Sequence, residues 1–275
     1  MAAAPRVLVN GEEGALLSPL DRGVAYGDGL FETIRFVGGR APLWARHMDR
    51  LRQSCRRLYL PEPDESLLAR EVASVVEGMA DAVVRLTVTR GLGERGYALP
   101  ARQQPHRIVA AFAAPAVSAE SLRDGVRLRL CETRLAEQPL LAGMKHLNRL
   151  EQVLARAEWD DPAIADGLLL DLSGRAISTI MANLFAVIDG ELATPSLHRC
   201  GVAGVGRAEI LAARGATVRD LAIGELYRAS ELFLSSSVRG ILPVQVLAGT
   251  VYVPGPVTRT MQSHWRGLGF PMELA

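Results

Sequence analysis

The chain has 275 residues, 49% hydrophobic and 22% charged, which excludes a disordered protein and allows one large domain or two. Thirty-one basic against thirty acidic side chains leave a net charge of +1, so no broad positive field draws in nucleic acid or an anionic membrane, and neither is an expected partner. No apolar run reaches the ~20 residues that span a bilayer. The start, MAAAPRVLVNGEEG, lacks the apolar centre of a signal peptide. Cys55, Cys131 and Cys200 are odd in number and widely spaced, which suggests neither a disulfide framework nor a zinc site. A reducing, cytoplasmic setting is expected.

Arg6–Asn10 reads as a short strand closed by the turn pair Asn10-Gly11, and Phe31–Val37 as a second strand ending in Gly38-Gly39. Trp44, Met48, Leu51, Cys55 and Leu58 then recur at helical spacing, and Leu67, Leu68, Val72, Val75 and Val76 mark another helix. Val84, Leu86 and Val88 alternate with Arg85, Thr87 and Thr89, the pattern of a half-buried strand. Arg107–Ala113 is a more uniformly apolar strand. From Pro115 to Ser121 the pattern breaks into small residues. We therefore expect an N-terminal α+β domain over 1–115, a linker over 116–121, and a C-terminal α/β domain over 122–275. Within the second domain the pattern predicts a strand at Val126–Cys131, a helix near Leu147–Ala157 and a strand at Gly167–Leu172. A hairpin around Asp189-Gly190, a helical stretch at Ala208–Ala213, a strand at Glu231–Ser236 and a helix near Thr258–Gly267 complete the chain.

Gly91-Leu92-Gly93-Glu94-Arg95-Gly96 has the spacing of a dinucleotide-binding turn and comes directly after a predicted strand. Such a turn must open a helix whose N-terminus holds the pyrophosphate. Pro100 and Pro105 interrupt the next stretch of chain, so a mobile or substrate-lining loop is expected instead.

The basic residues are 30 Arg and a single Lys, Lys145. Arginine serves as a surface cation but cannot present a free amine, whereas lysine can be tuned to form a Schiff base with a carbonyl. GVAGVGR (201–207) places glycines before a helix, where N–H groups and the helix dipole favour an anion. Ser235-Ser236-Ser237 ends a strand and could offer further donors. A lone amine with a phosphate cradle suits pyridoxal 5′-phosphate, an aldehyde carrying a phosphate.

The segments DRGVAYGDGLFETIR (21–35), HMDRL (47–51), RGY (95–97), KHLNRLEQVLARAE (145–158), ANLF (182–185), GVAGVGR and SSSVRGILPV (235–244) together resemble the fold-type IV pyridoxal-phosphate enzymes. These include branched-chain and D-amino-acid aminotransferases and 4-amino-4-deoxychorismate lyase, and the KHLNRLEQ stretch and RGY loop are most similar to the lyase. The resemblance implies a two-domain fold of the D-amino-acid aminotransferase type and a homodimer with a small-molecule substrate. It implies that Lys145, carried by the C-terminal domain with the phosphate cradle, is the Schiff-base lysine and proton shuttle. Arg50 is implied as the side-chain clamp on the phosphate, with Val205 and Gly206 giving backbone N–H groups and Ser237 a hydroxyl. From the residues alone, Arg50 reads as a solvated helix position, since it lies off the apolar stripe. Tyr26, Phe31, Arg95 and Tyr97 are implied on the substrate side, where Arg95 could grip a carboxylate.

One position departs from the family pattern. Where relatives carry a Glu that pairs with the pyridine nitrogen, this chain has Ser178. A hydroxyl does not hold that nitrogen protonated as a carboxylate does, which weakens the electron sink. The departure favours conversion of 4-amino-4-deoxychorismate to 4-aminobenzoate and pyruvate, because aromatisation supplies driving force. An aminotransferase for D- or branched-chain amino acids is the alternative, and a non-catalytic pyridoxal-phosphate-binding protein the alternative of another class.

Overall fold

Asn10 and Gly11 both take positive φ, 54° and 86°, and reverse the chain between β1 (Arg6–Val9) and β2 (Glu12–Glu13) in the computed structural model, which describes residues 5–273. Asparagine and glycine tolerate that region at low cost, so the pair makes a two-residue hairpin with Val9 opposite Glu12. The chain then forms α1 (Arg22–Tyr26), β3 (Gly29–Val37), α2 (Trp44–Arg57), α3 (Glu65–Val76), β4 (Asp81–Thr89) and β5 (His106–Ala113). The strands join in an antiparallel sheet of order β2-β1-β5-β4-β3. Met48, Leu51 and Cys55 from α2 and Leu68, Val72 and Val75 from α3 are buried, as are Val84, Leu86 and Val88 of β4. The alternation of β4 is less complete than its sequence suggests. Arg85 is exposed, but Thr87 and Thr89 are buried, and the Thr89 hydroxyl donates to Asp21 Oδ2 at 2.7 Å.

The chain divides into two compact units with a boundary after Pro115, where the sequence places it, and with one segment returned to the first unit. The first holds residues up to Pro115 together with Met144–Asn148, and the second holds Ala116–Gly143 and the chain from Arg149 onward. Part of the expected linker is the helix α4 (Ala119–Arg123), capped by the Ser118 side chain. The expected helix at Leu147 begins only at Leu150. Residues before it run as an extended segment along β3, with Phe31 N–H donating to Lys145 O at 2.9 Å and Leu147 N–H to Gly29 O at 3.0 Å. Those backbone groups are committed to β pairing and cannot enter a helix. Lys145 therefore belongs to the first unit and not, as the sequence pattern suggested, to the C-terminal one.

The second unit contains β6 (Val126–Leu135), α5 (Leu150–Arg156), β7 (Ile164–Asp171), β8 (Arg175–Thr179), β9 (Asn183–Ile188), β10 (Glu191–Pro195) and α6 (Val205–Ala213). It continues with β11 (Thr217–Arg219), β12 (Leu221–Ala222), α7 (Ile223–Leu226), β13 (Glu231–Ser236), β14 (Gly240–Leu247), β15 (Thr250–Val251) and α8 (Pro256–Gly267). Its sheet runs β11-β10-β9-β13-β14-β6-β7-β8-β12, with β15 added to β14. Asp189 and Gly190, at φ of 51° and 82°, make the predicted hairpin turn between β9 and β10. Phe185 and Phe233 stack at 5.2 Å between ring centroids across the β9–β13 pair, and Trp265 of α8 is fully buried. The helix α6 starts at Val205, inside the glycine-rich motif, three residues earlier than periodicity predicts. Among the described residues, no helix is long and apolar enough to cross a membrane.

Candidate active site

The pairing of Lys145 with β3 sets its side chain beside Phe31, with Nζ 4.3 Å from the ring centroid. The Arg85 guanidinium carbon lies 4.2 Å from the same centroid. Phe31 is buried, so two cations share one aromatic ring whose electron-rich face attracts them. Partial burial lowers the Arg85 pKa. Sequence reasoning singled out Lys145 and Phe31 but passed over Arg85. The signal was present, since a charged residue on the polar side of β4 stands two positions from Thr87, the register partner of Phe31.

Below this pair lies a buried cluster of charge. Arg50 donates from Nε to Glu32 Oε1 at 2.8 Å and from Nη2 to Glu32 Oε2, and His47 Nδ1 lies 2.6 Å from the same Oε2. The Glu32 side chain is 2% exposed and that of Arg50 12%, so Arg50 is not the solvated helix residue that its position off the apolar stripe suggested. Burial alone would push the Glu32 carboxyl upward, but the Arg50 charge and the hydrogen bonds from His47 and Arg50 override it and hold the pKa at about 2. Burial lowers the His47 pKa, the Glu32 carboxylate opposes this, and the charges of Arg50 and Lys145 add to the lowering. The result is a fixed carboxylate that orients the guanidinium of Arg50 through two of its three nitrogens.

Tyr26 and Tyr97 stand 5.4 Å apart between ring centroids, and the Tyr26 hydroxyl accepts from Gly96 N–H at 3.2 Å. Arg95 and Tyr97 are exposed, on a loop without helix or strand.

In the second unit, Val205 and Gly206 are the first two residues of α6, where backbone N–H groups have no partner within the helix. Its N-cap, Gly204, supplies no side-chain cap. A Cβ on Gly204 would come within 2.1 Å of Asn183 Oδ1, and one on Gly206 within 2.6 Å of Ser235 Oγ. Asn183 accepts from Gly204 N–H at 3.0 Å and donates to Val202 O at 2.9 Å, which fixes the approach of the loop to the helix. The Ser235 hydroxyl is buried without a hydrogen-bond partner. An uncapped helix start, glycines that keep it open and an orphaned hydroxyl beside them fit a phosphate group. Ser237 lies in the turn after β13, one residue beyond Ser236, whose Oγ accepts from Arg239 N–H. Ser178 is buried on β8, opposite Leu169. The sequence marked Ser235 only within the Ser235-Ser236-Ser237 run and Asn183 only within ANLF, because nothing in their spacing reveals which strand positions face the loop.

The model of the family described as aminotransferase class IV matches residues 29–247. The chain belongs to the class IV aminotransferase family. Its relatives in that family include an aminodeoxychorismate lyase from Vibrio harveyi, 36% identical over 253 residues that cover 89% of this chain and 93% of the relative. The crystal structure of 4-amino-4-deoxychorismate lyase from Pseudomonas aeruginosa superposes with a TM-score of 0.90 at 48% identity, covering 95% of this chain and 98% of that one. A branched-chain amino acid aminotransferase from Escherichia coli superposes with a TM-score of 0.81 at 26% identity, covering 96% and 94%.

The geometry makes two outcomes measurable. Glu32, with its folded pKa depressed from 4.5 to about 2, contributes stability that is complete above the ordinary carboxylate value and is lost as pH falls through about 2. His47, held neutral while the unfolded chain takes up a proton near pH 6.5, removes stability as pH falls below that value. Urea midpoints should therefore decline on acidification below about pH 6.5, and His47→Gln should flatten the first part of that decline. A variant whose profile tracks the wild type would show that His47 is not buried neutral. Separately, Asn183→Ala should cost about 1–3 kcal/mol of stability and weaken cofactor binding about tenfold, read by absorbance titration. Unchanged cofactor affinity would show that the loop adopts its form without Asn183.

Proposed function

We propose that this member of the class IV aminotransferase family is a pyridoxal-phosphate-dependent lyase that converts 4-amino-4-deoxychorismate to 4-aminobenzoate and pyruvate. The observation that carries this is the likeness to lyases over nearly the whole chain, at 48% and 36% identity, against 26% for the E. coli aminotransferase. In this reading Lys145 bonds the cofactor aldehyde, Arg50 clamps the phosphate, and Val205, Gly206 and Ser237 donate to it. Ser178 takes the place beside the ring nitrogen. Tyr26, Phe31, Arg95 and Tyr97 meet the substrate, and Arg85 joins them, giving two guanidinium groups for its two carboxylates.

When bound, pyridoxal phosphate supplies an electron sink for charge left on the carbon that bears the substrate amine. Lys145 Nζ takes the proton from that carbon as general base. The ether bond to the enolpyruvyl group then breaks, Lys145 returns a proton to that departing group, and pyruvate and the aromatic amine result. Atoms balance without an oxidant or a second substrate. Phe31 holds the amine in place, with Nζ 4.3 Å from its ring centroid.

A homodimer in a reducing cytoplasm accompanies this reading. It is supported by buried, unpaired cysteines and by the outward-facing Leu150 and Leu154 of α5, 76% and 63% exposed. Light scattering on the purified protein tests the oligomeric state.

Incubation with aminodeoxychorismate should release 4-aminobenzoate and pyruvate in equal amounts, and a protein that instead transaminates amino acids with no such release sinks the lyase assignment. Borohydride should fix the cofactor to one peptide, the one containing Lys145, and Lys145→Arg should keep the fold while losing this attachment. Attachment at another residue would overturn the role of Lys145. Ser178→Glu should raise transamination of D- or L-alanine relative to lyase activity, since a carboxylate strengthens the sink more than aromatisation requires. A ratio that stays constant in a cofactor-loaded variant would remove Ser178 from the control of the sink.

A further inference from the structure

The three glycines of the apparent dinucleotide motif build a different object. Gly91, at φ 84°, backs onto Gln104, where a Cβ would meet the carbonyl oxygen at 1.9 Å. A Cβ on Gly93 would lie 2.6 Å from Arg22 Cδ, so the loop crosses directly over the arginine stem. Gly96, at φ 102°, turns its two backbone groups toward α1, its carbonyl accepting from Arg22 Nη1 at 3.0 Å and its N–H donating to the Tyr26 hydroxyl. The loop is fastened to two side chains of α1, Arg22 and Tyr26.

The arginine is itself held. Arg22 is 4% exposed, donates from Nε to Asp28 Oδ2 at 2.9 Å, and places its guanidinium 5.0 Å from the Tyr26 ring centroid. Asp28 is gripped from the other direction by Arg90, through Nε at 2.7 Å and Nη2 at 2.9 Å. Arg90 in turn donates to the carbonyls of Leu58 and Tyr59, the two residues just past the end of α2. Burial would raise the Asp28 pKa, but the hydrogen bonds and charges of both arginines outweigh it and keep the carboxylate ionised. The path therefore runs from the end of α2 through Arg90, Asp28 and Arg22 to the carbonyl between Arg95 and Tyr97.

We propose that Arg22 is the positioning residue of the substrate loop, fixing Arg95 and Tyr97 through the Gly96 carbonyl that lies between them. The proposal rests on the reading that those two residues meet the substrate. A guanidinium suits the task because its planar fork bonds a carboxylate and a carbonyl in different directions at once, which an ammonium on a flexible stem does not do with fixed geometry. Both side chains on the loop are exposed, Arg95 with no ring contact among the described residues and Tyr97 against the Tyr26 ring alone, so the backbone bonds of Gly96 to Arg22 and Tyr26 do much to set their direction.

The test compares Arg22→Lys and Arg22→Gln with the wild-type holoenzyme, measuring KM and kcat for aminodeoxychorismate, cofactor affinity, and hydrogen exchange of the 93–97 amides. Arg22→Lys retains the charge facing Asp28 and keeps the question open to measurement should Arg22→Gln not fold. The expected result is a KM raised about tenfold with kcat within about twofold, from loss of one charge-assisted hydrogen bond. Exchange of the 93–97 amides should quicken by about the same factor while amides of β3 and β4 and the cofactor affinity stay unchanged. Unaltered loop exchange in Arg22→Lys overturns the proposal, as does a loss of kcat with an unaltered KM. Arg95→Ala separates the two layers. If it leaves KM untouched, the substrate role of the loop fails, while the exchange measurement still decides whether Arg22 holds it.

Discussion

Two backbone hydrogen bonds, from Phe31 N–H to Lys145 O and from Leu147 N–H to Gly29 O, place the single amine of this protein. They do so by returning five residues from the second part of the chain to the edge of β3. The consequences spread from there. The return ends the helical pattern before Leu150, puts Nζ on the Phe31 ring, and brings its charge close enough to act on His47. A side-chain contact could slide by a rotamer, but paired backbone groups fix the register of the segment, and with it the Cα from which the lysine projects. Asn148 reinforces the attachment by donating to Gly27 O at 3.1 Å.

The second constraint is that the charges around this segment are buried, so each must be matched. Glu32 is matched by Arg50 and His47, Asp28 by Arg22 and Arg90, and Asp21 by the Thr89 hydroxyl, His106 and the N–H of Gly23. Removing one member of such a set leaves a buried charge without compensation, which costs more than the intact pair contributes. These sets are therefore better understood as fixing geometry than as adding stability. All three lie on or beside β3, β4 and α1, the elements that carry Phe31, Arg85 and Tyr26.

Much of this was legible in the sequence, and the rest was not for identifiable reasons. The Asn10-Gly11 and Asp189-Gly190 turns arise from residues that tolerate positive φ, and the stripes of α2 and α3 from helical spacing. The strand Glu231–Ser236 has the predicted bounds. Lys145 stood out because a chain with 30 arginines has no other amine on a side chain. Pairings between distant backbone groups could not be read, since hydrogen bonds such as those of residues 145 and 147 leave no mark on side-chain pattern. Arg50 shows the same limit, as its spacing on α2 says only that it lies off the apolar stripe. The partner that buries it, Glu32, is 18 positions away on another element. The glycines of 91–96 carried a signal, but spacing alone did not distinguish a loop that receives a phosphate from one that receives an arginine.

That preference for arginine has a chemical consequence at the site. A guanidinium remains protonated under any condition in which the protein is folded, so Arg22, Arg50, Arg85 and Arg90 hold carboxylates, carbonyls and rings without exchanging protons. The carboxylate of Glu32, with a pKa of about 2, keeps its charge near neutral pH, and His47 is held in its neutral form. Around Lys145, then, the cations cannot release a proton and the nearest buried acid and base are already in fixed states. These fixed charges set the field in which, in the proposed reaction, Lys145 Nζ carries the proton.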